Sequence, residues 1–310
     1  MTRMPAYLFS GFTWLCGRLP ATWAFYIGRG MGYVIYGCVP KLRQRAADSL
    51  RAAFPDWPED RVRRTARAVY LQQGAMLMET FHRYGHPRKN PLDEILYDES
   101  IPRLGNQLLQ KYGRLIVLTA HINNYEYLAA WSARHVPLSI IAKPVRPRWL
   151  GAFIQAKRAE AGIHELPHKG GFRAVLRALE DGRCVGFILD QNMLYRNGVC
   201  VTYFGQPACT AESLAAASAR TQAPVLPVFL TREGTKQRVV HGDVIEPPPN
   251  DHPTTLQDYT QRYTNVIEAQ VRQEPESWIW MHRRWRTRPR AGDRITRNDG
   301  SSYTWTEAGD

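Results

Sequence analysis

The 310-residue chain predicts an α/β fold, a mostly parallel central sheet flanked by helices, behind an N-terminal apolar membrane-anchoring helical segment. Three observations carry this. A short apolar run rich in β-branched residues at 115–118 and further strand-like stretches at 138–142, 163–166, 184–189 and 225–230 alternate with longer stretches of helical periodicity. With 44% hydrophobic residues, a chain of this length fills one large core plus an appendage. Its first 40 residues are unusually aromatic, so we divide it into an anchoring or interfacial segment, 1–40, and a main domain, 41–310.

In the first segment, Tyr7, Phe9, Trp14, Trp23, Tyr26 and Tyr36 are interrupted by Arg18, Arg29 and several glycines. No uninterrupted apolar run reaches the roughly 18 residues that mark a spanning helix. Three dispositions stay open: a span within 19–39 with Arg29 snorkelling, a helix lying in the interface, or a helical hairpin packed on the core. Lys41, Arg43, Arg45 and Arg51 follow directly and suit an anionic membrane surface. No small-x-small cleavage site follows the apolar run.

Residues 41–85 read as two amphipathic helices split by the Pro-rich stretch 54–58, with Glu59-Asp60 as a helix start. His82 with His86, and His164 with His168, have the spacing of helical metal ligands. Prolines at 87 and 167 argue against both sites, and no metal or other cofactor is expected.

The stretch 119–128, Thr-Ala-His-Ile-Asn-Asn-Tyr-Glu-Tyr-Leu, lies where the strand at 115–118 passes into a helix. On one continuous helix His121 and Glu126 would point roughly 140° apart, each residue turning about 100°. With His121 on the turn and Glu126 one helical turn further, the carboxylate is expected to reach the imidazole Nδ1, leaving Nε2 free as a general base. Asn123 or Asn124 would cap the helix and offer its N-terminal amides to an anion. A histidine five residues from a glutamate also occurs by chance, so the pair needs context.

The second strand runs into a basic loop with Lys143, Arg146 and Arg148, and a helix over 149–161 carries Lys157 and Arg158. Gly162 ends that helix before the strand 163–166. Lys169-Gly170-Gly171-Phe172 opens another helix, closed by Asp181-Gly182, and is too short a signal for a phosphate loop. Asp190-Gln191 stands at the end of the strand 184–189, where α/β folds place functional groups. A small-residue helix over 211–221, the strand 225–230 and a helix over 256–272 follow. In 275–290 tryptophans and arginines interleave around Ile279 and Met281. A solvated basic tail and a stacking nucleic-acid surface are both conceivable, but the apolar centre favours a partly buried, anion-facing or membrane-facing element.

The formal charge of +13 favours anionic partners: nucleic acid, acidic lipid headgroups or an acidic carrier protein. Nine tryptophans and fifteen tyrosines tilt the choice toward a membrane interface. Five cysteines, odd in number and without a CxxC pair, fit a reduced, cytosol-facing location.

Taken together, Arg18-Leu19-Pro20, Ala53-Phe54-Pro55, His121 with Glu126, Val145-Arg146-Pro147, Asp190-Gln191, Phe204-Gly205-Gln206-Pro207-Ala208 with Thr210, Ala223-Pro224-Val225-Leu226-Pro227 and 275–289 resemble the late acyltransferases of lipid A biosynthesis. These belong to the glycerolipid acyltransferase-like superfamily. The ordered set covers nearly the whole chain. The family's His-x-Gly-Asn-Trp-Glu is His121-Ile122-Asn123-Asn124-Tyr125-Glu126 here, departing at Asn123 and Tyr125.

The resemblance implies transfer of a fatty acyl group from an acyl carrier protein thioester to a hydroxyl of a lipid A precursor, at the cytoplasmic face of the inner membrane. In that reading His121, oriented by Glu126, is the base and Arg146 stabilises the oxyanion. Asn124, Lys143, Arg158, Asp190 and Gln191 are the expected substrate-binding residues, Asp190 either orienting Arg146 or capping a helix. No nucleic-acid partner is expected. Two departures from the family motif keep another lipid acceptor open: a lysophospholipid, an amino-lipid or a glycolipid. A thioester hydrolase and a non-catalytic basic membrane- or nucleic-acid-binding protein are the remaining rivals.

Overall fold

The computed structural model describes residues 4–86 and 91–306. Its helices are α1 (Met4–Cys16), α2 (Ala21–Cys38), α3 (Pro40–Ala53), α4 (Glu59–Gly85), α5 (Ser100–Tyr112), α6 (Tyr125–His135), α7 (Arg148–Glu160), α8 (Gly171–Glu180), α9 (Ser213–Thr221) and α10 (Pro253–Gln273). Its strands are β1 (Leu115–Thr119), β2 (Leu138–Ile141), β3 (His164–Leu166), β4 (Cys184–Ile188), β5 (Val199–Tyr203), β6 (Gln206–Thr210), β7 (Val225–Glu233), β8 (Lys236–His241), β9 (Arg294–Thr296) and β10 (Ser302–Thr304).

The five strands expected from the sequence are all present and lie parallel, in the order β3-β2-β4-β1-β7. The sequence reading missed β8, which pairs antiparallel with β7 at the edge across a turn at Gly234, held at φ 62°. The main sheet is therefore mixed. Every residue of β1 is buried, because side chains alternate between two covered faces. Leu115 and Val117 meet Leu128 and Trp131 of α6, whereas Ile116 and Leu118 join the core shared with α8, α9 and α10.

A second, four-stranded sheet, β10-β9-β5-β6, was also unforeseen. Its β5–β6 hairpin turns through Phe204 and Gly205, at φ 51° and 72°, the positive values that a tight two-residue hairpin turn requires.

At the N-terminus, α1 and α2 pack on α4. A Cβ on Gly28 would come within 2.4 Å of the Gly74 carbonyl oxygen, and one on Gly74 within 2.1 Å of the Gly28 oxygen, so only glycine permits this approach of α2 to α4. The inner face of the pair thus behaves as a packed hairpin. Its outer face leaves Trp23 at 63% and Tyr33 at 59% exposure. Among the described residues no helix is long and apolar enough to cross a membrane, so the span considered within 19–39 is not seen. His82 sits on α4 with Nε2 2.9 Å from the Leu19 carbonyl, tying α4 to the α1–α2 turn. Pro87, used above against a metal site, lies outside the described residues.

Candidate active site

The site follows from strand register. In the parallel pair β1–β4, Thr119 lies opposite Ile188, so the residues two places beyond each strand, His121 and Asp190, leave the sheet side by side at its C-terminal edge. His121 Nδ1 is 2.9 Å from Asp190 Oδ1, and the His121 backbone N–H donates to Oδ2 at 3.1 Å. Trp278, fully buried, donates its indole N–H to the same Oδ2 at 2.6 Å. A carboxylate only accepts, so Nδ1 carries the imidazole proton and Nε2 keeps its lone pair. Gln191 places its amide nitrogen 3.2 Å from that Nε2.

Burial by itself would lower the His121 pKa, but the charge and hydrogen bond of Asp190 outweigh it and the net shift is upward. Burial would likewise raise Asp190, yet its contacts with His121 and Trp278 hold it down at about 2. The phenol of Tyr125, edge-on to the imidazole at 4.8 Å, is pushed up to about 12, first by burial and then by the nearby Glu126 charge, and stays neutral.

The expected His121–Glu126 contact is not formed. Asn124 caps α6, its side chain accepting from the Tyr127 N–H at 3.1 Å, which fixes Glu126 in the first helical turn. From there its carboxylate faces α7, pairing with the Arg158 guanidinium and accepting weakly from Tyr84 at 3.4 Å. Asp190 has already taken Nδ1.

Three further expectations change. Asn124 is fully buried and engaged with Thr80, Met76 and Glu79, so it supports the helix and does not line the cavity beside His121. Arg146 is exposed and lies outside the cavity beside His121. Arg158 does line that cavity, but Glu126 and Glu165, the latter at 2.7 Å, already occupy it. Lys143 is exposed at the cavity wall, and Gln191 sits at the base as described.

The sequence reading did not find Trp278 or Arg284 as supports of the site. Arg284 is 1% exposed and donates to the Cys209 carbonyl at 2.8 Å, to the Thr210 hydroxyl and to the Gln191 carbonyl at 3.3 Å, fixing the segment that follows Asp190. The signal was the interleaved 275–290 stretch, whose tryptophans 278 and 280 are both fully buried.

His121 opens onto a cavity of about 400 Å³ between α6 and the sheet. It is lined by Tyr125, Glu126, Lys143 and Arg158 and by the apolar Leu128, Leu138, Ile140, Phe187 and Ile188. An imidazole with its Nε2 lone pair beside an apolar cavity has the chemistry that proton abstraction from a hydroxyl next to a hydrocarbon chain needs. Residues 1–287 match the family model for bacterial lipid A biosynthesis acyltransferases, and the chain belongs to that family of O-acyltransferases, which act on a lipid acceptor.

Relatives include the lipid A biosynthesis lauroyltransferase of Escherichia coli strain K12, 25% identical over 288 residues, and the palmitoleoyltransferase of the same organism, 20% identical over 280, each covering 90% of both chains. Among solved structures, the 1-acyl-sn-glycerophosphate acyltransferase PlsC of Thermotoga maritima aligns with 82% of this chain and 96% of its own. The sequence identity is 12% and the TM-score 0.37, too loose a match to place any residue.

Proposed function

We propose that the protein transfers a fatty acyl chain from an acyl carrier protein thioester to a hydroxyl of a lipid A precursor, with His121 as general base and Asp190 as the residue that orients it. The observation that carries this is the 2.9 Å Nδ1–Asp190 contact, which leaves the Nε2 lone pair beside an apolar cavity.

The acyl chain lies along the Leu138, Ile140 and Phe187 wall. The acceptor hydroxyl displaces the Gln191 amide from Nε2, and its oxygen attacks the thioester carbonyl as His121 takes the proton. Collapse of the tetrahedral intermediate breaks the carbon–sulfur bond, and the imidazolium returns its proton to the departing thiolate. Asp190 stays ionised and stabilises the transient imidazolium, a contribution within the roughly 10² to 10⁴ of general-base catalysis. In this reading the displaced Gln191 amide and the Lys143 ammonium supply hydrogen bonds to the developing oxyanion. Glu126 holds Arg158 and so shapes the cavity wall.

Residues 1–40 seat the enzyme on the inner membrane at its cytoplasmic face, without spanning it. The exposed aromatics of α1 and α2 enter the headgroup region, and Arg18, stacked 3.5 Å from the Trp14 ring centre, faces lipid phosphates. Catalysis resides in residues 41–310.

The test is acyl transfer by purified protein and its His121→Ala variant from labelled acyl carrier protein, with a lipid A precursor and a lysophospholipid offered separately. Label on the lipid A precursor with the wild type alone is the expected result. Label on the lysophospholipid alone moves the enzyme to another lipid pathway, and free fatty acid without lipid product makes it a thioesterase.

A further inference from the structure

We propose that the acyl carrier protein docks in the basic groove between edge strand β3 and helix α8, and passes its thioester arm along the neighbouring depression beneath α7 to His121. The inference rests on the donor proposed above and adds where that donor binds.

The groove is lined by His164, Lys169, Arg173, Arg177 and Arg183, with Asp181 as its one acid. Arg173 and Arg177 are four residues apart on α8, so they share one face, a like-charge spacing that disfavours the helix unless an outside counter-charge answers it. Both are exposed, as is Lys169, and none of the three forms an ion pair among the described residues. Arg183 is fixed in place, donating to Ser139 Oγ at 2.6 Å and to the Leu138 carbonyl at 3.2 Å.

The groove adjoins the active site through shared walls. Leu166 and Pro167 line both the groove and a second depression, which in turn shares Ala142, Lys143 and Arg158 with the catalytic cavity. The second depression adds Arg148, and its one acid, Glu165, is already paired with Arg158. The groove and the second depression therefore each carry an excess of cations, which ends at the Glu126–Arg158 pair beside the catalytic cavity. Strand β3 lies three places from β1 in the sheet, a lateral distance of about 14 Å at the usual strand spacing, which an extended pantetheine arm spans.

Cations on an edge strand also prevent sheet-to-sheet aggregation, but Arg173 and Arg177 are on the helix, where that need does not arise. A membrane-binding surface would set aromatic side chains among its cations. The large exposed hydrophobics cluster on α1 and α2, and none lines this groove. A water-soluble acidic protein fits it better than a bilayer does.

The experiment uses the full chain carrying Arg173→Glu and Arg177→Glu, with the milder Arg173→Gln and Arg177→Gln pair as a fold-preserving second variant. Initial rates are measured with acyl carrier protein and with the same acyl chain on free pantetheine, alongside fluorescence anisotropy of labelled carrier protein. The expected result is a KM for the carrier-borne donor raised about tenfold or more in the charge reversal and less in the neutral pair. The kcat and the pantetheine kinetics stay unchanged, and salt-sensitive carrier binding is lost. An unchanged carrier KM overturns the inference, as does an equal loss with both donors or a loss of binding to anionic phospholipid vesicles in place of the carrier. If the wild type accepts the pantetheine thioester but not the carrier, the donor assignment falls with it; if the wild type uses the carrier and the variants match it, only the docking site falls.

Discussion

Asp190 accepts the Nδ1 proton of His121 at 2.9 Å although 69 residues separate them, because β1 and β4 run parallel in a register that brings both residues off the sheet together. The pairing has a consequence for pH. The folded-state pKa of His121 is raised, so its protonated form persists above the usual imidazole range, and the base is lost as pH falls through that raised value.

The value of kcat/KM should therefore climb with pH along a limb centred above about 6.5. Removing the carboxylate in Asp190→Asn leaves burial as the dominant influence and should move the limb to lower pH. The pH–rate profiles of the two proteins give the comparison.

The same pair contributes to stability. The part from His121, whose pKa is raised, is present at acid pH and fades as pH rises through the folded value. The part from Asp190 is present above about pH 4 and is lost as pH falls toward its folded pKa of about 2. Wild type should lose more stability than Asp190→Asn across that acid interval in denaturant titrations.

Asn124 caps α6 from a fully buried position. Asn124→Ala should cost about 1–3 kcal/mol, from the lost cap and the stranded Glu79 and Thr80 partners. Chemical denaturation would show the loss, and KM for the acceptor should not rise, as it would if Asn124 bound substrate.

Among the described residues Arg284 has no carboxylate within ion-pair distance. Its two terminal nitrogens donate to the Cys209 carbonyl and the Thr210 hydroxyl and the guanidinium lies 5.2 Å from the Tyr203 ring centroid, while Nε is buried without a hydrogen-bond partner among the described residues. Arg284→Ala strands those acceptors and frees the Gln191 backbone, so a loss of about 3 kcal/mol with reduced kcat is expected. Thermal unfolding and steady-state rates check both.

The exposed aromatic face of α1 and α2 should govern membrane association. Replacing Trp23, Tyr26 and Tyr33 together by Ser should reduce sedimentation with anionic vesicles about tenfold or more, while turnover of detergent-dispersed acceptor stays close to wild type.

The parallel strands were legible because most are compact apolar runs, β1 being buried on both faces throughout. The second sheet was not: β9 and β10 are three residues each, and the β5–β6 hairpin lies in a stretch without a clean alternating pattern. His121 was legible from its place after a strand. Its partner was misassigned because sequence favours near neighbours, and Glu126 is five residues away, while the contact with Asp190 depends on which strands are adjacent. The sequence put Asp190 at a strand end but could not show that this strand lies beside β1. Arg146, legible as a conspicuous cation, turns out to lie outside the cavity wall.

The most direct test compares acyl transfer by Asp190→Asn and Glu126→Gln under one set of conditions, with His121→Ala as the floor. If Asp190 orients the base, Asp190→Asn should fall by about 10³ or more in kcat toward that floor, and Glu126→Gln, which loosens only the Arg158 contact, by about tenfold. The reverse order, with Glu126→Gln near the floor and Asp190→Asn active, would show that Glu126 holds the imidazole during catalysis and would contradict the account.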